Sequence, residues 1–143
     1  MPFHLEREKG FLECDRLKVS LSEQISRGSH EIKQMVSNLH RQNIDKLFLI
    51  GSGGSLAVAY PLEMLIEKYT STYQCKSYNG EDFLCRRPQI VDSRSGVIGI
   101  SYSGNTTEII EGLKWAKKRG ALTIALTAYP QAPIASDVDG LIE

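Results

Sequence analysis

Two short apolar runs in this chain end in loops of small residues that feed straight into helical patterns, and this repeated unit leaves few folds open. Asp45-Lys46-Leu47-Phe48-Leu49-Ile50 runs into Gly51-Ser52-Gly53-Gly54-Ser55 and then Leu56-Ala57-Val58-Ala59. Gly96-Val97-Ile98-Gly99-Ile100 runs into Ser101-Tyr102-Ser103-Gly104-Asn105-Thr106-Thr107, after which Ile109, Ile110, Leu113 and Ala116 recur at helical spacing. Strands separated by helices of this length pair in parallel through right-handed crossovers. The pattern predicts strands over 46–50, 71–78, 96–101, 121–127 and 138–142. Helices are expected over 54–69 and 106–119, a short helix or loop over 81–86, and a helical turn over 133–137. The fold class is therefore α/β, a doubly wound five-stranded parallel sheet in the flavodoxin-like order 2-1-3-4-5. In that order the first and third strands meet at the switch point, so both loops should open into one crevice.

The second loop has the chemistry of an anion site. The first backbone N–H groups of a helix lack intrahelical partners, and the helix dipole is positive there. Ser101, Ser103, Thr106 and Thr107 add four hydroxyls, and no Lys or Arg stands in the turn, which points to a phosphate held by neutral donors. Asn105 and Glu108, three apart, read as a capping pair at the helix start, and Gly120 as its C-cap. In the first loop, the glycines allow close backbone approach. Their spacing is not the dinucleotide G-x-G-x-x-G, and no P-loop Lys follows, which disfavours nucleotide triphosphate hydrolysis.

The 143 residues suit a single core, and 17 basic residues balance 17 acidic ones. Global charge thus gives no footing for nucleic acid or an acidic membrane surface. No apolar run reaches the length of a membrane span, and Met1-Pro2-Phe3-His4-Leu5-Glu6-Arg7-Glu8 has no signal-peptide core. Cys14, Cys75 and Cys85 are spaced neither as a zinc site nor as a redox pair, and His4, His30 and His40 stand apart. A cytoplasmic protein with reduced thiols, Cys75 buried in a strand, and neither metal nor cofactor is expected. Residues 1–45 read as an N-terminal arm and helix, and 46–143 as the ligand-binding domain. Ser20-Leu21-Ser22-Glu23 is a capping box for a helix reaching Gln42, with Gly28 a potential break, and Asn79-Gly80 is a turn signal. The stripe Ile25, Ile32, Met35, Val36 and Leu39 has no obvious place in a five-stranded core, so self-association into a homo-oligomer is expected.

The two loops, with Gly120-Ala121-Leu122-Thr123-Ile124-Ala125-Leu126-Thr127, resemble the sugar isomerase (SIS) domain over about residues 30 to 143, most specifically in the S-x-S-G-N-T element. The resemblance implies a phosphosugar or phosphorylated Amadori-type ligand. It assigns Ser55, beside Gly53 and Gly54, to the sugar phosphate. Ser101, Ser103 and Thr106, with the backbone of Tyr102 and Gly104, cradle the phosphate; Asn105 is as much a cap as a ligand, and Thr127 marks a third contact region. Within the family the chain looks most like the first half of fructosamine-6-phosphate deglycases, which are built of two SIS domains. Their proton-transfer glutamate and histidine lie in the second domain, so no position here inherits those roles. Glu81 and Asp82, in Tyr78-Asn79-Gly80-Glu81-Asp82-Phe83, are the weak catalytic candidates. A single-domain phosphosugar isomerase and the ligand-sensing domain of a transcriptional regulator stay open as alternatives.

Overall fold

The structure is a computed structural model that describes residues 22–143 except 24 and 27. The expected arm at 1–19 and the Ser20 end of the capping box lie outside the described residues. Helix α1 covers residues 28–41, and residues 22, 23, 25 and 26 upstream are helical too, so Gly28 itself lies in helix. Then follow β1 (Lys46–Gly51), α2 (Gly54–Tyr69), β2 (Gln74–Asn79), α3 (Gly80–Arg86), β3 (Ser95–Ile100), α4 (Thr107–Lys118) and β4 (Leu122–Leu126). A 3-10 turn (Pro133–Ala135) and β5 (Gly140–Ile142) complete the fold. All strand pairs are parallel and the order is β2-β1-β3-β4-β5, as the spacing of strands and helices predicts.

Apolar residues dominate the central strands because both faces of the sheet are covered. Leu47, Leu49, Ile98, Ile100, Leu122 and Ile124 point to one face, where Met35 and Leu39 of α1 and Leu56, Ala59, Leu62 and Ile66 of α2 pack on them. Phe48, Ile50, Val97 and Ala125 point to the other, under Phe83 of α3, Ile109, Leu113 and Ala116 of α4, and Ile134. Each of the fully buried Leu, Ile, Val and Phe side chains among them contributes about 1.5–3 kcal/mol.

The stripe on α1 divides. Leu39 is only 2% exposed and belongs to the core, with Met35 partly buried beside it, whereas Ile25, Ile32 and Val36 face outward. The folded unit therefore extends upstream of β1.

Several local expectations are corrected. The segment from Ser71 is extended only from Gln74, and the last strand starts at Gly140 rather than Val138. Asn79-Gly80 makes no separate turn: β2 runs to Asn79, whose side-chain oxygen accepts the Glu81 N–H and starts α3 directly. The C-cap of α4 is Arg119, with Gly120 one residue beyond at φ 83°. There Gly120 N–H donates to Lys117 and Ala121 N–H to Ala116, the paired bonds of a Schellman ending. Asn43, at φ 53°, ends α1 in the same way, with Ile44 N–H donating to Leu39.

Carboxylates occupy backbone donors that the ladder leaves open, one on the edge strand β2 and one on β4 below the start of β5. On β2 the Ser77 N–H donates to Glu63 of α2 at 2.6 Å, which occupies a group that could otherwise pair with a foreign strand. Cys75 lies buried on this strand as expected. Burial, reinforced by Glu63 and Glu67, pushes its thiol up to about 12, so it stays protonated. Before β5, the Asp139 carboxylate accepts both the Thr123 N–H (2.9 Å) and the Thr123 hydroxyl (2.8 Å), with Lys117 Nζ at 3.6 Å.

Burial alone would raise the Asp139 carboxyl, but the Thr123 hydrogen bonds and the Lys117 charge together hold it below the ordinary carboxylate range. A depressed carboxyl stabilises the fold above its unfolded value, near 3.8, and that contribution is lost as pH falls through the folded value. Asp139→Ala is expected to cost about 1–3 kcal/mol at pH 7, because it strips an acceptor from buried Thr123. Urea unfolding should show that deficit shrinking below about pH 4.

Candidate functional site

The carboxyl ends of β1, β3 and β4 surround a cleft of about 690 Å³. Ser52, Gly54 and Ser55 line it from the first loop, Ile100 and Tyr102 from the end of β3, and Leu126, Thr127 and Ala128 from the end of β4. Val58 and Glu143 complete the wall. This is the crevice at the β1/β3 switch point, where open α/β sheets bind ligands.

The two helices that begin here lack side-chain caps. Gly53, at φ 56° and ψ −122°, is the N-cap of α2 and has no side chain to offer, and the first turn of α2 carries no acidic residue. The N-cap of α4 is Thr106, which makes no capping hydrogen bond because its hydroxyl lies 2.8 Å from Ser101 Oγ. The Asn105–Glu108 cap expected from the sequence does not form. Asn105 is exposed, and its side-chain amide donates to the Ser103 carbonyl at 3.0 Å, while Glu108 is engaged from another loop. The helices, of 16 and 12 residues, thus present N-termini with no side-chain cap at one edge; the first turn of α2 is free of acidic residues, and that of α4 carries Glu108.

The second loop is stitched internally and to β4. Ser101 is 2% exposed, and its hydroxyl oxygen accepts the Gly104 N–H at 3.1 Å while contacting Thr106. Its backbone N–H donates to Leu126. Thr127, 4% exposed, donates its hydroxyl to the Tyr102 carbonyl (3.2 Å), and that carbonyl also accepts the Ala128 N–H (3.2 Å). Gly104 sits at φ 66°, and a Cβ there would lie 2.4 Å from Ala132 Cβ and 2.9 Å from Thr127 Oγ1. Only glycine fits both that backbone and that space.

Of the residues anticipated from sequence, Gly54, Ser55, Tyr102 and Thr127 come together around the cleft. Ser101 and Gly104 are buried in the framework of the loop, and Ser103, Asn105 and Thr106 stand on it at the start of α4, outside the lining. Gly53 is exposed at the head of α2. Glu81 and Asp82 occupy the exposed first turn of α3 and do not line the cleft.

Two features escaped the sequence reading. Ser52 Oγ donates to Glu108 Oε1 at 3.1 Å, across 56 residues of chain. Tyr129 packs edge-on against the 72%-exposed Tyr102, ring centroids 5.8 Å apart, at the mouth. Neither spacing leaves a periodic signal. Among the described residues, no cluster of His, Cys, Asp or Glu is arranged to hold a metal ion, and no helix is long and apolar enough to cross a membrane.

Comparison with known proteins agrees with this geometry. The SIS domain model matches residues 39–142. The fructosamine deglycase FrlB of Bacillus subtilis is 31% identical over 117 residues, covering 82% of this chain and 36% of that protein. The fructoselysine 6-phosphate deglycase of Escherichia coli O157:H7 is 27% identical over 133 residues, covering 93% of this chain and 39% of that one. The crystal structure of a Bacillus subtilis protein described as a phosphosugar isomerase superposes with a TM-score of 0.76 at 30% identity, over 85% of this chain and 37% of that one. The chain thus spans less than two fifths of the length of these relatives.

The two loop glycines should respond oppositely to a methyl group. Gly104→Ala is expected to cost about 2–4 kcal/mol, from the left-handed backbone and the collision with Ala132. At Gly54 a Cβ meets nothing within 4 Å, so Gly54→Ala should stay within about 0.5 kcal/mol of wild type or slightly above it. Chemical denaturation of the two variants in parallel checks both.

Proposed function

The chain belongs to the SIS domain family, and we propose that its cleft binds a phosphorylated sugar as one half of a fructosamine-6-phosphate deglycase or an aldose–ketose phosphosugar isomerase. The observation that carries this reading is the convergence of two helix N-termini, neither capped by a side chain, on one hydroxyl-bearing crevice. Such an edge favours a dianion and needs no Lys or Arg to hold it. Two of the relatives are deglycases by name, one of them of fructoselysine 6-phosphate, and this chain covers less than two fifths of each.

In this assignment the phosphate is a remote handle. Held by Ser55 of the first loop and by Ser103, Thr106 and the head of α4, it fixes the sugar so that its reacting carbons lie along the apolar wall of Val58, Ile100 and Leu126. Binding energy spent on the non-reacting phosphate then orients the ring-opened sugar for proton transfer between adjacent carbons. That step, through an imine or enediol, requires an acid and a base within hydrogen-bond reach. With Glu81 and Asp82 on an exposed helix turn outside the lining and Glu143 the one carboxylate in it, the lining does not supply both groups, and we assign the missing partner to the other half.

The same reading bears on assembly. Ile25, Ile32 and Val36 of the N-terminal helix are exposed, as are Val58, Met64, Leu65 and Tyr69 of α2, which packs on the same face of the sheet. So much apolar surface on one side favours association, with a second copy in the case of the chain alone.

Two measurements test the proposal. Calorimetry should detect fructose 6-phosphate binding, and Ser55→Ala should weaken it about tenfold or more, the worth of a hydrogen bond to a charged group. Ser101→Ala is a poor test, since that hydroxyl braces the loop from within. Binding unchanged in Ser55→Ala would move the phosphate elsewhere. Sedimentation at high micromolar concentration should show dimers or larger species, and a charge introduced by Leu65→Glu should shift them toward monomer.

A further inference from the structure

Ser52 sits between the cleft and the head of α4, and its surroundings fix which way its hydroxyl hydrogen points. The proton is donated to Glu108 Oε1 at 3.1 Å. A carboxylate is an acceptor only, so this bond has one polarity. The β2–α3 junction covers the contact. A Cβ on buried Gly80 would fall 2.7 Å from Glu108 Cγ and 3.2 Å from Ser52 Oγ, and 2.6 Å from Ile109 Cδ1. Three βα junctions therefore close around this one hydrogen bond, and the Glu108 side chain has little room to turn away from it.

The consequence lies on the other side of Ser52. A serine hydroxyl has one hydrogen and two lone pairs. With the hydrogen committed to Glu108, Ser52 can offer the cleft it lines only lone pairs. A phosphate monoester is largely a dianion at neutral pH and has only acceptor oxygens to present. Ser52 cannot donate to it. A sugar hydroxyl, by contrast, can donate a proton into Ser52 Oγ.

We infer that the Ser52–Glu108 pair is a specificity element that accepts a hydrogen bond from a hydroxyl of the sugar and turns the phosphate away toward Ser55 and the uncapped helix heads. This inference rests on the phosphosugar reading of the cleft and adds polarity to it. One rim of the crevice donates and the other accepts, so a phosphorylated polyol has one favoured orientation. Ser52 is the contacting residue, and Glu108 is a positioning residue that acts through it.

The test compares two ligands on the full chain by calorimetry, fructose 6-phosphate and methyl phosphate, the second carrying the same anion with no sugar hydroxyl. Ser52→Ala should weaken fructose 6-phosphate about tenfold and leave methyl phosphate within about twofold, since a single acceptor is lost. Glu108→Gln keeps the shape but removes the charge and can donate to Ser52 as well as accept from it, so the bond no longer commits the Ser52 proton. It should lower the preference for the sugar phosphate while tightening methyl phosphate. In the double variant the loss should not exceed that of Ser52→Ala, because the two residues act as one unit. Thermal melting of each variant is read alongside, and Glu108→Gln, nearly isosteric, carries the test if Ser52→Ala does not fold. Equal loss for both ligands would show that the pair only shapes the loop and would overturn the inference while sparing the phosphosugar reading. Wild-type chain that binds neither ligand would overturn both.

Discussion

Strands β1 and β3 pair in parallel along their whole length, from Lys46 opposite Ser95 to Gly51 opposite Ile100. They are joined through a helix on one face, a flanking strand, and a helix on the other face. Because successive crossovers leave β1 and β3 on opposite faces, their carboxyl ends part and leave a crevice between the loops. The cleft, the two helix heads and the Ser52–Glu108 bond all lie at that parting. Strand pairing at the centre of the sheet, itself sealed by Leu49, Ile98, Phe48 and Val97 on its two faces, thus decides where any chemistry can occur.

Around this crevice the hydroxyls have unequal duties. Ser101 and Thr127 are buried and spend their hydrogen bonds on the chain: one ties Gly104 and Thr106 together, the other holds the Tyr102 carbonyl. This internal bracing fixes the second loop at a cost of hydroxyls that could have met a ligand. Ser55 and Ser103, less enclosed, are the ones left to meet it. Holding a dianion through neutral donors, as proposed for this loop, calls for such a division, since dipoles stabilise charge well only when they are already oriented.

The carboxylates follow a similar logic. Glu63, Asp139 and Glu108 each engage a group of the fold outside their own element: the edge of β2, the middle of β4, and the first loop. None is an isolated surface charge. Because each accepts a hydrogen bond from a backbone N–H or hydroxyl, each is worth more than an exposed ion pair of the same separation.

The alternation of short apolar runs with helical patterns determined the fold class, the strand order and the edge of the sheet at which the cleft opens, because parallel pairing through right-handed crossovers admits few arrangements. The S-x-S-G-N-T element and the Gly-rich loop likewise marked the two βα turns that flank the crevice. What the sequence left undecided were matters of partner choice between distant segments. Asn105 and Glu108 have the spacing of a cap, yet Glu108 accepts from Ser52 and the Asn105 amide turns to the Ser103 carbonyl. The α1 stripe looked uniformly apolar, and only packing separated Leu39 in the core from Ile32 and Val36 outside it. Ser101 and Ser103 read alike as phosphate donors until burial committed the first to its own loop. Local pattern fixes which elements form, since helix and strand periods are written in neighbouring residues. Which hydroxyl donates to which carboxylate depends on distances between loops that only the closed sheet brings together.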